Sequence, residues 1–191
     1  MDMTYEKIYN HVFEIVTTQL PDYLTYHSVF HTLYVLEKAI YIGTKENVSD
    51  ADLRLLKIAA LYHDIGFIKT NFAHEVNGCE MARKDLKAFK IPKKDIDIIC
   101  GMIMATKIPQ QPKTHLEAIL ADADLEYLGT KHFKKGSELL YHEMKYFNKD
   151  LNRKEWIAIQ IDFMEKHQYH TKFCKHHKSH RKQRNIVQLK R

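Results

Sequence analysis

The stretch Leu61-Tyr62-His63-Asp64-Ile65-Gly66 decides how the rest of the chain is interpreted. In it, a His and an Asp stand side by side at the end of an apolar run, residues 53–61, and Gly66 ends that run. Neighbouring residues on a helix point about 100° apart, so His63 and Asp64 do not share a helical face. They can bind one ion only if this helix end lies inside a ring of other helices.

Histidines and aspartates that can complete such a site stand before and after this stretch. Upstream, His27 and His31 are four residues apart, a spacing that places both on one helical face. Downstream, Asp122 and Asp124 open another apolar run with helical spacing. Imidazole nitrogens together with carboxylate oxygens form a ligand set for divalent metal ions. The sequence therefore predicts a metal site to which separate helices contribute.

A resemblance to a known family rests on three stretches. They are YHSVFHTLYVLEKA at 26–39, AALYHDIGF at 59–67 and ILADADLEYLG at 119–129. In order and spacing they resemble the HD superfamily of metal-dependent phosphohydrolases, and the likeness extends from about Tyr23 to the helix around Trp156. The resemblance implies an all-α fold, a single compact helical bundle of the HD-domain type. It also implies hydrolysis of a phosphate mono- or diester by a metal-activated water.

The resemblance further implies which side chains bind the metal. The implied ligands of one divalent ion (Mn, Fe, Mg, Ni or Zn) are His31, His63, Asp64 and Asp124. Asp122 and Asp124 both follow an alanine, so the local context admits either one as the last ligand. Leu125 and the residues after it fit the family pattern best when Asp124 is the ligand. Asp122 is then expected to be a helix N-terminal carboxylate or a hydrogen-bond partner of the ligands.

Catalytic and substrate-binding roles follow from the same resemblance. Asp64 is expected both to bind the metal and to orient the attacking water. His27 resembles the general acid of cyclic-nucleotide phosphodiesterases, which share a Tyr-His-x-x-x-His stretch; the alternative is a His that caps or packs. His74 is expected to contact the metal ligands or the substrate. Lys107, placed just before the proline loop, is a candidate cation for phosphate, with an ordinary solvated lysine as its alternative.

Departures from the family pattern narrow the prediction. Family members with two metals use a His near His74 and a further His later, and residues 103–107 contain none, so one ion is expected. A two-iron oxygenase is disfavoured for the same reason. Alarmone hydrolases carry Glu-Asp shortly after the His-Asp pair, and deoxynucleoside monophosphatases carry a Glu there. Here Phe67-Ile68-Lys69 follows, which disfavours both substrate classes.

Apolar periodicity and breakers predict helices throughout the chain. Ser49 with Asp52 resembles a capping box, Pro92 suits the first turn of a helix, and Pro109 and Pro112 predict an extended loop at 107–112. Residues 67–73 are predicted to be a loop. The predicted helices run over about 5–20, 25–42, 49–64, 74–89, 93–106, 115–128, 131–147, 152–167 and 169–189.

Composition supports one domain covering residues 1–191. The chain has 191 residues, 45% of them hydrophobic, which suffices for one sizeable core. No apolar run approaches the roughly 18 residues of a membrane span, and Met1–Thr4 lead into an amphipathic segment without a signal-peptide pattern. Three cysteines without motif spacing favour reduced thiols. A cytoplasmic protein without a membrane partner is expected.

The positive charge of the chain is concentrated at its end. Residues 165–191 carry 9 Lys or Arg and one acid, whereas the other 164 residues carry a net charge of −2. This predicts a basic, His-rich C-terminal helix over about 169–191, interpreted as a solvated face, so nucleic acid is disfavoured as a partner. The expected partner is a small phosphorylated substrate such as a nucleotide. A non-catalytic regulatory module that binds a nucleotide or metal is the alternative function, and a homo-oligomer is left open.

Overall fold

The protein is all-α, as predicted. The computed structural model describes residues 3–191, and within that range every regular element is a helix. Met1 and Asp2, which the predicted 1–191 domain includes, lie outside the described residues. The α-helices are α1 (Met3–Thr18), α2 (Val29–Lys45), α3 (Asp50–Tyr62), α4 (His74–Ala88), α5 (Lys93–Ala105), α6 (His115–Asp124), α7 (Phe133–Phe147), α8 (Arg153–Lys166) and α9 (Lys172–Leu189). Two 3₁₀ helices, Ile65–Ile68 and Glu126–Gly129, follow α3 and α6.

Polar side chains start four of these helices. Ser49 Oγ accepts the backbone N–H of Asp52 (3.1 Å) and so caps α3, as predicted. The equivalent bonds run to Thr114 at α6 and to Thr171 at α9. Asn152 and the third helical residue of α8 form a complete capping box. These bonds satisfy backbone donors that would otherwise be free, and they fix where each helix begins.

The core surrounds the end of α3. Helix α2 packs against α3 and α6, and α5 packs against α3, α4 and α6. Residues 58–62, the last turn and more of α3, are all buried, so this helix end is covered on every side instead of on one stripe. The two residues that follow, His63 and Asp64, are therefore held inside the bundle, with 0% and 6% of their surfaces exposed.

Helix α2 begins four residues later than predicted. The expected helix starts at about Thr25, whereas α2 starts at Val29 and His27 lies in the segment before it. The reason is a tertiary contact, because the backbone N–H groups of Tyr26 and His27 donate to Glu143 Oε2 (2.8 and 3.0 Å). The prediction that His27 and His31 share a helical face was wrong, although their rings lie 5.8 Å apart.

Helix α6 also differs from its prediction. It ends at Asp124 instead of continuing to Leu128, and the 3₁₀ helix Glu126–Gly129 follows. The hydroxyl of Tyr169 donates to the carbonyls of Leu125 and Glu126 (3.3 and 3.2 Å), which draws these groups out of a regular α-helical pattern. As a result Asp124 stands at a helix end, where its side chain is free to turn towards α2 and α3.

Two observations relate to the predictions about membrane spans and about the cysteines. Among the residues that the structure describes, no helix combines the length and apolar character needed to cross a membrane. Cys79, Cys100 and Cys174 are buried free thiols.

Candidate metal centre

Four predicted ligands meet at the centre of the bundle. His31 Nε2 lies 3.1 Å from Asp124 Oδ1 and 3.3 Å from Asp64 Oδ2. His63 Nε2 lies 3.1 Å from Asp64 Oδ2, 3.8 Å from Asp124 Oδ1 and 3.3 Å from His31 Nε2. Ligand atoms bound at about 2.0–2.2 Å to a single ion lie roughly 3–3.6 Å from one another. The observed separations match those of atoms that surround one divalent ion.

Each ligand stands at the end of a helix. His31 lies in the first turn of α2, His63 immediately follows α3, and Asp124 is the last residue of α6. Asp64 comes between α3 and the 3₁₀ helix Ile65–Ile68. Helices α2, α3 and α6 pack against one another, so their ends bring the side chains together without a long loop.

The donor atoms are oriented for a cation. His63 Nδ1–H donates to the carbonyl of Ala60 (2.8 Å), which leaves the Nε2 lone pair facing the cluster. Asp64 Oδ2 is buried and has no hydrogen-bond partner among the described residues. Two imidazole nitrogens that face each other at 3.3 Å beside an unpartnered carboxylate oxygen fit a metal ion, because one ion could accept the lone pairs of all three atoms.

The electrostatics of the cluster also favour a cation. Burial alone would lower the pKa of His31, but its close contacts with the carboxylates of Asp124 and Asp64 and their charges raise it to about 10. Burial likewise opposes the charged form of His63, and the charge of Asp64 nevertheless raises its pKa. Burial acts to raise the pKa of Asp64, yet the neighbouring imidazoles hold it well below its usual range. The carboxylate of Asp64 therefore stays charged inside the core, where its negative charge would attract a divalent ion.

Asp122 and Asp124 have different partners. Asp122 is fully buried and accepts the backbone N–H groups of His170 and Thr171 (both 2.8 Å) and the hydroxyl of Thr171 (2.6 Å). Its oxygens therefore hold the residues just before α9. Asp122 is not a carboxylate of its own helix N-terminus, because it lies near the C-terminal end of α6. Asp124 faces the imidazoles instead.

A cavity of about 410 Å³ opens beside the cluster. Its wall includes the rings of His27 and His74, and Phe67 stacks on both of them, with 3.9 Å between ring centres for His74 and 4.3 Å for His27. His74 Nε2 lies 3.6 Å from Asp64 Oδ1 and 3.5 Å from Glu75 Oε1. The lining includes His27, Asp64, His74, Glu75, Thr106 and Asp124. A substrate in this cavity would therefore contact His27, Asp64 and His74 together.

Gly66 allows α4 to approach this cavity. A β-carbon at Gly66 would lie 1.9 Å from the carbonyl oxygen of His74 and 2.7 Å from the backbone nitrogen of Gly78. These distances are far below a van der Waals contact, so a larger residue would push α4 away. Gly66 thus positions His74 as well as ending the apolar run.

Glu143 is a site residue that the sequence analysis missed. It lies on α7 with 2% of its side chain exposed, and its carboxylate accepts a hydrogen bond from His27 Nδ1. Burial acts to raise the pKa of Glu143, but the hydrogen bonds from His27 and from the backbone lower it, so the carboxylate stays charged. With Nδ1 bound in this way, Nε2 of His27 is the nitrogen left for the cavity. No local motif marks Glu143, which is 116 residues from His27.

Lys107 does not reach the cavity. Its side chain is exposed and lines a separate pocket of about 280 Å³ with Met104 and Ile108. The chain turns outward after Thr106, which is buried and lines the main cavity at the place where a further His was sought. The structure therefore gives Lys107 no contact with the cluster, in contrast to the expectation of a phosphate-binding cation.

Comparison with protein families agrees with this geometry. The HD domain family model matches residues 29–127, more than half of the chain, and that range contains all four converging side chains. The chain belongs to the HD domain family, as the three sequence stretches predicted. A comparison with curated proteins gives no match.

Two solved structures have a similar fold. A predicted HD superfamily hydrolase from an uncultured Thermotogales bacterium is 22% identical, with a TM-score of 0.63, over 95% of this chain and 88% of that one. Bacillus subtilis YpgQ in complex with ADP is 20% identical, with a TM-score of 0.67, over 98% of this chain and 96% of that one. At these identities the likeness establishes the helical fold.

Proposed function

We propose that this protein is a metal-dependent phosphohydrolase that cleaves a phosphate mono- or diester of a nucleotide. The observation that carries the proposal is the convergence of His31, His63, Asp64 and Asp124 beside a cavity. A regulatory module that only binds its ligand does not require catalytic groups next to the metal ligands. Here His27 lines the same cavity and has its own buried carboxylate partner.

The four side chains would hold one divalent ion. When bound, the ion acidifies a water molecule and neutralises charge on a phosphoryl oxygen. The role of Asp64 is twofold, since its two oxygens face different sides. Oδ2 faces the imidazoles, while Oδ1 lies on the side of His74 and is available to accept a hydrogen bond from the attacking water.

His27 is the proposed general acid. Glu143 accepts its Nδ1–H, so Nε2 can carry the proton that the leaving oxygen needs. The negative charge of Glu143 stabilises the protonated imidazole, and its bonds to the backbone of Tyr26 and His27 hold the ring in place. Stacking on Phe67 fixes the ring from its other side.

The substrate is proposed to be a nucleotide that contacts His74. The cavity, at about 410 Å³, is large enough for more than an inorganic phosphate group. The complex of Bacillus subtilis YpgQ with ADP supports this choice, because that protein has a similar fold over nearly the whole chain.

Hydrolysis by metal-loaded protein tests the proposal. Protein purified without a His tag would be analysed for bound metals and then assayed on nitrophenyl phosphates, bis-nitrophenyl phosphate and a nucleotide panel. The expected result is release of phosphate or nucleotide that a chelator abolishes and that added Mn²⁺, Mg²⁺ or another divalent ion restores. Tight binding of a metal and a nucleotide without turnover on any member of the panel would favour the regulatory alternative instead.

A further inference from the structure

A second cavity adjoins the one beside the metal-binding cluster. It has a volume of about 570 Å³ and shares Ile108, Ile159 and Phe163 with the first cavity. The charge of Asp124 also acts on the imidazole of His167, which lines the second cavity. A molecule with its phosphate at the metal-binding cluster can therefore extend into this second space.

Unpartnered polar atoms belong to three residues of this cavity. Gln110 Oε1, His167 Nε2 and His170 Nε2 are buried, and within residues 3–191 none of them has a hydrogen-bond partner. Buried polar groups are nearly always hydrogen-bonded, so three exceptions around one cavity indicate a place for a polar ligand.

The side-chain amide of Gln110 has a fixed orientation. Its Nε2 donates to the carbonyl of Ala121 (2.9 Å), a partner that can only accept. The unpartnered Oε1 is therefore the amide oxygen, which is an acceptor. A ligand that presents an N–H or O–H group satisfies it.

His167 supplies the complementary donor. Lys182 Nζ donates to the backbone carbonyl of His167 and also lies 3.3 Å from its Nδ1. An ammonium group has only donors, so Nδ1 must be the acceptor and Nε2 must carry the hydrogen. Burial and the charge of Lys182 lower the pKa of His167 to about 3, which keeps this ring neutral with a donor at Nε2.

The remaining lining suits an uncharged, flat group. Phe163, Ile159 and Pro109 provide apolar surface. The charged side chains of the lining, Lys166 and Asp162, pair with each other at 2.7 Å. This cavity therefore lacks, in the described part of the chain, the free cation that a second phosphate would require.

We propose that the second cavity binds the nitrogenous base of the nucleotide, with Gln110 and His167 contacting the edge of the base and Phe163 its face. This assignment rests on the proposed function, because it takes the phosphate to lie at the metal-binding cluster. A base offers donors and acceptors along one edge and an apolar face that stacks on aromatic rings. It matches the fixed acceptor, the fixed donor and the uncharged walls.

Ligands that differ only in the base test the proposal. Calorimetric titrations would compare AMP, GMP, CMP and UMP with ribose 5-phosphate on the metal-loaded protein. At least one of the four nucleotides is expected to bind about 10-fold or more tightly than ribose 5-phosphate, a difference that stacking and one or two hydrogen bonds supply. Gln110→Leu should remove most of that advantage while leaving ribose 5-phosphate unaffected.

Gln111→Leu is the matched control, since this neighbouring glutamine is exposed and lines another pocket. Gln111→Leu should bind all five ligands as the wild type does. If Gln110→Leu does not fold, Phe163→Leu replaces it and should also lose the preference for the base. Ribose 5-phosphate binding as tightly as every nucleotide would overturn the proposal, as would an equal loss for all five ligands in Gln110→Leu.

The titrations and the hydrolysis assay together distinguish a failure of this inference from a failure of the proposed function. The titrations need no turnover, so a base preference without hydrolysis supports the second cavity while rejecting the hydrolase. Hydrolysis of nucleotides without any base preference would support the hydrolase. It would reject only the proposal that the second cavity binds the base.

Discussion

The segment that matches the family, residues 29–127, and the helices after it, residues 133–189, contribute different kinds of groups. All four converging side chains belong to the first segment. The later helices provide Glu143 behind His27 and much of the cavity walls. The comparison indicates that the proposed metal ligands lie in the family segment, whereas the carboxylate partner of the proposed acid and part of the cavity wall lie in helices outside it.

The largest effect is expected from a ligand in the first segment. His63→Ala should abolish measurable hydrolysis and most metal binding, because the buried cluster loses one of its two converging imidazole nitrogens. Circular dichroism should show the helices retained. His180→Ala, an exposed histidine of the basic helix α9, is the control and should keep full activity. Unchanged hydrolysis by His63→Ala would show that the cluster is not the catalytic site.

A smaller effect, on turnover alone, is expected at His27, which lies just before the family segment and contacts Glu143 of the later helices. His27→Ala should keep its metal and slow turnover about 10²–10⁴-fold, the usual cost of losing a general acid. Nitrophenyl esters should be slowed much less, because nitrophenolate leaves without a proton. Equal losses with good and poor leaving groups would exclude His27 as the acid.

Glu143→Gln tests the contribution of the later helices directly. The amide oxygen can accept from the two backbone N–H groups or from His27 Nδ1 but not from both, because these use different oxygens of Glu143, and the charge that favours the protonated ring is lost. We expect roughly a 10-fold decrease in kcat on substrates with poor leaving groups, since a charge-assisted hydrogen bond exceeds a neutral one by about 1–1.5 kcal/mol. Glu138→Gln, on the same helix but exposed and paired with Arg153, should leave kcat unchanged. A decrease of similar size in Glu138→Gln would mean that α7 is merely destabilised.

Lys107→Ala should have the smallest effect. The side chain is exposed and outside both cavities, so its loss should change KM by less than about twofold, as for most surface substitutions. Initial-rate measurements at several substrate concentrations check this. A large rise in KM would restore Lys107 as a phosphate contact and would mean that the loop after Thr106 moves when substrate binds.

The sequence predicted correctly those structural features that depend on residues close together in the chain. Apolar residues at helical spacing predicted most of the helices, and Ser49 marked the start of α3 correctly. The all-α fold and the family could be read from three short stretches because each stretch lies at one helix end.

The helix boundaries and side-chain partners that the sequence did not predict depend on hydrogen bonds between residues far apart in the chain. Glu143 draws the backbone of Tyr26 and His27 out of the predicted helix, and the hydroxyl of Tyr169 ends the regular part of α6 early. In the same way, Asp122 looks like Asp124 in sequence, but the segment before α9 uses its oxygens. None of these partners can be found without knowing which helices are adjacent.

Replacing Asp122 should therefore lower the stability of the protein and leave its activity unchanged. Asp122→Asn loses the charge that accepts two backbone N–H groups and a hydroxyl in a buried position, and it should lower the free energy of unfolding by about 1–3 kcal/mol. Denaturant unfolding of the two proteins checks this. Hydrolysis per folded chain should stay close to that of the wild type.

The ratio of bound metal to chain is the measurement that tests the metal centre most directly. Wild type, Asp122→Asn and Asp124→Ala would be loaded with Mn²⁺, freed of excess ion and analysed by mass spectrometry. We predict about one ion per chain in the wild type and in Asp122→Asn, and almost none in Asp124→Ala, because His31, His63, Asp64 and Asp124 would together surround a single ion. Full retention by Asp124→Ala, or two ions per wild-type chain, would contradict the assignment.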